Sequence, residues 1–546
     1  MSQWKKKKWK ERVREIRNKE LIDDGQLRSL ELMIDSSDPE NFTVAEELIK
    51  NLIREKLSHG LNQGQTEAFQ SIVDHLEYPE HEAVVLKGYA GTGKTFLVKR
   101  IMEYIIYSTD DKKIAIGAPT NKAVSVLYTN SMSSGMNGYV FENLFNMDAR
   151  VTYSTIHKLL GLKEVITDDG QQLFTLDSIN NSKLSDYSYL IVDEVSMLDD
   201  KICNDIMKFS KKIKIIFMGD PAQIPPVNRT DSIPFKTGHR YSFKTVELTE
   251  IMRQKEGHPI IDLSFQIRKN LNKPQPIPVL QTNLNELGHG IVYMDNKTDR
   301  GMIRPLLEKY FKSPEYDASL DYMKVIAWKN KTVEYINSLV REIKYGKDLD
   351  RFVEGEGLIV LKPVFEERED VYEGFNKWRI ALNTSEEIVV TEIDQDTISF
   401  KEGPYKLSML MYVLSVESYD PAYPDKMISN TINVVHEDSA EDYNKILHTA
   451  RLFAIKSKQA KDWVMYFNIL KWSANVAYNY AITAHKSQGS TYKNVLILED
   501  DIDGNRKTLE RNRIKYTAYS RVTDKLYVLR ENHPGLVYSD IHNNPA

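Results

Sequence analysis

Apolar residues fall along the chain in short unbroken runs that each end on polar residues: AVVLKG from Ala83, KIAIGAPT from Lys113, YLIVDE from Tyr189 and IKIIFMGD from Ile213. Runs of four to eight apolar residues without alternation suit strands buried on both faces. Between them lie helix-length segments such as Gln65 to Leu76 and TFLVKRIMEYII from Thr95. Strands alternating with helices predict a parallel sheet covered on both sides. The same texture returns at MKVIAWKN from Met323 and NVLILED from Asn494, which predicts a second α/β lobe. Residues 353–474 differ: β-formers and turns come first (EGEGLIVLKPV, EEIVVTEI, DTISFKEG, LMYVLSV), and a helical stretch follows from Ser439. This reads as a small β-barrel-like insertion carrying a helical arm. Ahead of the first lobe, Val44, Leu48 and Leu52 recur at helical spacing with Ile49, Ile53 and Leu57 beside them, so residues 1–58 read as a helical extension with a helix start near Pro39 and Asn41.

Length and composition narrow the class. At about 150 residues per domain, 546 residues suggest three to four domains. A 41% hydrophobic and 28% charged composition, with 25 Gly and 19 Pro, fits a folded chain and not a collagenous or disordered one. No run of 18 apolar residues is present, so no ordinary transmembrane helix is expected, and MSQWKKKKWKER lacks the apolar stretch of a signal peptide. The single Cys203 excludes an internal disulfide and a cysteine metal cluster, which suits a reduced, cytoplasmic protein. The formal net charge of −5 excludes a uniformly basic nucleic-acid coat but not a local basic track. Residues 1–20 hold nine Lys or Arg against three Glu; that arm either touches phosphates or is a solvated helix face.

The residues that carry chemistry begin at GYAGTGKT, comprising Gly88, Tyr89, Ala90, Gly91, Thr92, Gly93, Lys94 and Thr95. It fits G-x-x-x-x-G-K-[ST] between a strand and a helix. The glycines let backbone N–H groups approach phosphate oxygens, Lys94 neutralises the β- and γ-phosphates of ATP, and the Thr95 hydroxyl suits Mg²⁺. Asp193 and Glu194 leave the end of an apolar strand, where a doubly wound sheet binds ligands. Asp193 suits the metal and Glu194 the attacking water. Gln223, in GDPAQIPPV, can bond the γ-phosphate. Arg253, in LTEIMRQ, and Arg521, in YTAYSRVTDKLYVL, are candidate arginine fingers, or else surface residues. A hairpin is expected over 161–177, with Val165 and Ile166 facing Leu173 and Phe174 across the Asp169-Gly170 turn and Phe174 near the tip. Such a hairpin either parts strands, with Phe174 stacking on a base, or simply packs on its lobe.

Taken in order, LNQGQTEAF, GYAGTGKT, APTNKA, STIHKLL, DEVSML, GDPAQIPPV, LTEIMRQ, AITAHKSQGSTYKNV and YTAYSRVTDKLYVL resemble the motifs of superfamily 1 helicases, most closely the RecD/Dda-type 5′→3′ branch, over roughly residues 60–535. That resemblance implies two RecA-like parallel-sheet lobes, a β-hairpin pin, and an inserted SH3-like β-barrel with a helical arm. The expected domains are 1–58, 59–255, 256–352 with 475–546, and 353–474. It implies an ATP-dependent DNA helicase, probing single-stranded and forked DNA, in phage-type replication, recombination or repair within a host bacterial cytoplasm. A single-strand-binding protein or replisome component is the implied protein partner, and the motor a monomer. The resemblance assigns Gln65 to adenine, Gln488 and Gly489 to nucleotide coupling, and Pro119, Thr120, Asn121, Thr155, His157, Thr483, His485 and Lys486 to the DNA track. His157 and His485 serve equally well as structural histidines. A different class stays open too: a DNA-stimulated NTPase that binds or loads without processive unwinding.

Overall fold

A computed structural model describes residues 3–18, 21–36, 38–89, 91–109, 112–132, 150–226, 229–250, 259–277, 280–347, 349–367, 378–419 and 426–530. The buried apolar runs become the strands of two parallel sheets. In the first, β1 (Ala83–Gly88), β2 (Ile114–Ala118), β3 (Val151–Thr155), β6 (Tyr189–Val192), β7 (Lys214–Gly219) and β8 (Phe243–Leu248) stand in the order β3-β2-β6-β7-β1-β8, all pairs parallel. Chain order and spatial order differ, so successive loops emerge together at one sheet edge. Between β3 and β6, β4 (Lys163–Ile166) and β5 (Gln172–Thr175) make the expected hairpin.

The second sheet runs β19-β11-β20-β21-β10-β9, built from β9 (Asn283–Leu284), β10 (Gly290–Asp295), β11 (Met323–Ala327), β19 (Ala481–Thr483), β20 (Tyr492–Leu498) and β21 (Val522–Arg530). Only the two-residue β9 is antiparallel. Between β11 and β19 the chain forms a five-stranded antiparallel sheet, β17-β16-β15-β12-β18, from β12 (Gly357–Val360), β15 (Glu387–Glu402), β16 (Tyr405–Tyr419), β17 (Met427–Val435) and β18 (Val476–Tyr478). A separate pair joins β13 (Val364–Glu367) to β14 (Trp378–Leu382). Among the described residues the strand pairings form this five-stranded sheet and one separate pair, and they do not by themselves establish the expected SH3-like barrel. The ribbon of β15 and β16 runs past the small core of Leu358, Ile388 and Leu414. Its far half packs against helices Glu437–Ser457 and Ala460–Leu470 through Met409, Met411, Ile469 and Trp472. This is the predicted helical arm.

The N-terminal extension forms helices Gln3–Asn18, Asp24–Asp35 and Pro39–Ser58, the last capped by Asp38. Ile49, Ile53 and Leu57 face inward and Leu52 packs against the same core, whereas Val44 and Leu48 are exposed. Trp9, Val13 and Ile16 close over Leu30, Ile34 and Phe42 in a core continuous with the first lobe. Lys10, Arg14 and Arg17 pair with Asp35, Glu31 and Asp24 of the second helix. These three cations of the basic arm therefore serve the fold.

One buried charge cluster fixes the helix Thr508–Tyr519, which leads directly to Arg521. Lys515 Nζ lies 2.6 Å from Glu499 Oε1 and 2.6 Å from Asp503 Oδ1, with Arg530 Nη1 3.6 Å from Glu499. Burial raises the Glu499 pKa, but Lys515 and Arg530 outweigh it and leave the carboxyl below its ordinary range. Its contribution to stability is therefore present above that range and lost as pH falls through it. Lys515→Met should destabilise the protein by about 3–5 kcal/mol in denaturant titrations near pH 8, because the buried Glu499 loses its nearer cation and keeps only the more distant Arg530. The loss should shrink near pH 5, where the under-compensated Glu499 takes up a proton. An equal loss at both pH values would contradict this reading.

Candidate active site

β1 ends at Gly88, and the chain turns through Gly91 (φ +83°) and Gly93 (φ +79°) into the helix Lys94–Ser108. Those two angles lie where side chains are strained. At Gly88 an added Cβ would sit 2.7 Å from Lys94 Cγ and 2.8 Å from Thr92 Oγ1, so the loop closes only around glycine. No side chain caps this helix and its first turn holds no acid. Its free N–H groups and positive end therefore suit an anion. Lys94 Nζ donates to Gly88 O at 2.5 Å and Tyr89 O at 3.1 Å, neutral acceptors that a phosphate would outbid. Thr95 follows in the same turn, half-buried. Ala90 lies outside the described residues.

Gln65 is buried beneath this loop. Its Nε2 donates to Thr92 O at 3.3 Å, and its Oε1 accepts from Asn62 N at 3.3 Å in a capping box. The side chain thus holds the loop from below. A neighbouring pocket is lined by Tyr89, Gly91, Ile260, Phe265, Arg268 and Tyr516, with the Arg268 guanidinium 3.4 Å from the Tyr89 ring centroid. Flat rings and a planar cation suit a heteroaromatic base. Sequence reading passed over Tyr89, Arg268 and Tyr516. The first is an aromatic inside the phosphate loop, which was a usable signal; the other two come from the second lobe and carry no local motif.

Asp193 and Glu194 follow β6 at the floor of the cleft. Asp193 N donates to Gly117 O at 2.9 Å, and Glu194 N donates to Asp193 Oδ1 at 2.8 Å. Glu194 has φ +50°, a left-handed angle that costs a non-glycine residue about 1–3 kcal/mol. Burial raises both carboxyls, and the Glu194 charge raises Asp193 further, while Lys94 and Arg521 pull the other way. Two adjacent acids with a hydroxyl at Thr95 form a hard oxygen set that fits Mg²⁺.

The second lobe completes the floor. With its amide nitrogen toward Glu194, Gln223 donates to Glu194 Oε2 at 3.1 Å and accepts from Arg521 Nη2 at 3.3 Å. Its amide also lies 3.1 Å from Gln488 Nε2, which donates to Ser196 Oγ at 3.1 Å and Ile224 O at 3.3 Å. Arg521 is buried and held by Thr517 O at 3.1 Å and Ser490 O at 3.3 Å. Tyr516 Oη donates to Asp220 Oδ2 at 2.6 Å, and Ile224 N donates to Thr517 Oγ1 at 3.2 Å. Arg253 lies outside the described residues.

The residues expected on a DNA track lie at strand ends of both lobes. Pro119 and Thr120 follow β2 and Asn121 opens the next helix, while Thr155 ends β3 and His157 lies in the short helix Ile156–Leu160. Thr120 Oγ1 accepts from Ala123 N at 3.2 Å, and Asn121 Nδ2 donates to Glu386 Oε2 at 3.0 Å. Thr483, at the end of β19, is buried, with Lys486 N donating to its Oγ1 at 3.4 Å. Burial lowers the basicity of His485 and Lys486. Gly489, at φ +79°, brings this loop against the other one: an added Cβ would meet Ala123 Cβ at 3.1 Å.

The hairpin is real but its register corrects one expectation. Phe174 pairs with Glu164, not Ile166, and Ile166 pairs with Gln172. Phe174 therefore sits toward the base, its ring 6.3 Å from that of His157, rather than near the tip. The tip leans on the helical arm. Gly170 (φ +83°) lies so close to the Trp463 ring that an added Cβ would be 2.4 Å from it. Asp168 Oδ1 accepts from Ala460 N at 2.9 Å, and Lys471 Nζ lies 3.1 Å from Glu164 Oε2 in a buried pair.

Comparison with known proteins follows this geometry. Residues 60–281 match the family model described as an AAA domain, and residues 478–529 that of a UvrD-like helicase C-terminal domain. The chain is 26% identical over 517 residues to the uncharacterized protein R530 of Acanthamoeba polyphaga mimivirus, covering 85% of this chain and 99% of that one. It is 28% identical over 449 residues to the ATP-dependent DNA helicase dda of Enterobacteria phage T4, covering 80% of this chain and 92% of that one. A solved structure of Pif1 helicase from Bacteroides with ADP-AlF3 and ssDNA aligns with a TM-score of 0.40 at 17% identity, covering 85% of this chain and 92% of that one. The ordered motifs, the two matched family models and the similarity to the dda and RecD helicases support an ATP-dependent DNA helicase of superfamily 1.

Proposed function

We propose that this chain hydrolyses ATP in the cleft between its lobes, moves 5′→3′ along single-stranded DNA and parts forked DNA at the hairpin of β4 and β5, in phage-type replication, recombination or repair. The observation that carries the proposal is the contact of Gln223 with both Glu194 and Arg521, because it builds one catalytic floor from both lobes. Lys94 and the helix N-terminus receive the phosphates, and Thr95 and Asp193 would hold Mg²⁺, which would supply charge neutralisation when bound. Glu194 orients the attacking water and takes its proton. Gln223 reads the γ-phosphate, and Arg521 spreads positive charge over the oxygens that become more negative in the transition state. Arg253 is proposed as a second finger on its motif alone. The loops of Pro119 to Asn121, Thr155 and His157 grip one strand from the first lobe, and Thr483, His485 and Lys486 from the second. Hydroxyls, amides and backbone N–H groups there bind phosphates without reading sequence. Opening and closing of the floor alternates the two grips.

Arg521→Ala should lower single-strand-stimulated ATP turnover by about 10³-fold, as expected for a group that acts on transition-state charge. Nucleotide affinity should change far less in equilibrium titrations. A variant with weakened affinity and an intact maximal rate would make Arg521 a binding residue.

Replacing residues 165–174 by a short Gly/Ser turn should abolish unwinding of a 5′-tailed duplex and keep single-strand-stimulated ATPase near the parent rate. The parent should leave a 3′-tailed duplex closed. Parent-like unwinding by the shortened protein would move the wedge elsewhere, and unwinding from the 3′ tail would reverse the proposed direction.

A further inference from the structure

The helix Glu437–Ser457 carries apolar residues on both faces. Ala450 and Ala454 are buried, with Tyr443, Ile446 and Leu447 packed beside them. On its outer side Leu452, Phe453 and Ile455 are 52%, 51% and 48% exposed. Residues 445–461 (KILHTARLFAIKSKQAK) hold Lys445, Arg451, Lys456, Lys458 and Lys461 and no acid, in a chain whose net charge is −5. Lys445 pairs with Glu441 and Asp442, but Arg451, Lys456, Lys458 and Lys461 are exposed and form no ion pair with another described residue. Interleaved free cations and exposed large apolar groups are an unusual solvent face for a helix.

The position of this face gives it a meaning. Lys458 and Lys461 bracket Ala460, whose N–H bonds Asp168 at the hairpin tip, and Trp463 covers Gly170 there. The patch therefore begins where the hairpin ends. The tip itself presents the exposed acids Asp168 and Asp169, which repel phosphates. A strand pushed aside at the tip meets the basic helix face next. A duplex would offer phosphates alone and leave Leu452, Phe453 and Ile455 unused. A parted strand offers phosphates and unstacked base faces together, the pairing that single-strand surfaces use.

Resting on the helicase reading above, we propose that the outer face of Glu437–Ser457, with Lys458 and Lys461, holds the single strand excluded at the hairpin. Its capture keeps the strands apart behind the tip while the lobes advance on the other strand.

The test compares binding of the full chain to a duplex with a 5′ tail only and to a fork with both tails, across a salt series. The parent should bind the fork about 10-fold more tightly, with a steeper salt dependence. Arg451→Glu, Lys456→Glu and Lys461→Glu combined should reduce fork affinity to that of the one-tailed duplex, and reduce the slope of log affinity against log salt by about 2, from roughly 0.7 per single-strand phosphate contact. Phe453→Ser should weaken fork binding with little change in slope. One-tailed binding and single-strand-stimulated ATPase should stay at the parent values, which also reports that the variants fold. A thiolated thymine in the excluded tail should cross-link within residues 445–461. A fork preference that survives charge reversal, or an equal loss on both substrates, overturns the proposal, and the face then awaits a protein partner. Loss of single-strand-stimulated ATPase in the parent itself would instead overturn the helicase reading.

Discussion

At the floor of the cleft one amide, Gln223, lies 3.1 Å from Glu194 and 3.3 Å from Arg521, and the rest of the molecule is arranged to make or break that contact. Glu194 belongs to the first lobe and Arg521 to the second. Each is held from behind: Glu194 by the Asp193 turn at φ +50°, Arg521 by the Thr517 and Ser490 carbonyls. Buried carboxylates repel one another; Lys94 of the same lobe relieves part of that repulsion, and Arg521 adds its share from the second lobe. Contact between the lobes therefore helps to balance the charge of the site.

The helix Thr508–Tyr519 carries this coupling into the second lobe. Its buried Lys515 locks onto Glu499 and Asp503, while Tyr516 and Thr517, one and two residues on, reach Asp220 and Ile224 of the first. A second set of contacts ties the loops proposed to touch DNA to the same closure. Asn121 bonds Glu386, Lys122 Nζ lies 2.9 Å from Asp321, and Gly489 abuts Ala123. Any change in lobe angle must therefore move both grips. The hairpin is braced on the helical arm by Trp463, Ala460 and Lys471, which suits the wedge proposed for it.

How much of this could be read from the sequence depends on the range of each interaction. The phosphate loop, the acids after β6 and the hairpin turn are local, so spacing and residue type sufficed. The strand pairing of the insertion, the depth of Phe174 and the base pocket were not legible, because each is decided by a partner far along the chain. Phe174 looked like a tip residue because the turn could be counted in more than one register, and only pairing with Glu164 fixes it. Arg268 meets Tyr89 with no motif to announce it, and the motifs of Gln488 and Gln223 do not announce that the two side chains meet across 265 residues. The helix of the N-terminal extension was legible from its apolar spacing, but periodicity alone did not say that Ile49, Ile53 and Leu57 would be buried while Val44 and Leu48 stayed exposed.

The most direct test of the coupling is the ratio of ATP turnover with saturating single-stranded DNA to turnover without it, measured for the parent and for Gln488→Ala. Gln488 donates to Ser196 and Ile224 of the other lobe and lies 3.1 Å from the Gln223 amide. If closure of the floor is what DNA promotes, the ratio should fall toward one while nucleotide affinity and basal turnover stay near parent values. A Gln488→Ala protein that DNA stimulates as strongly as the parent would contradict the account.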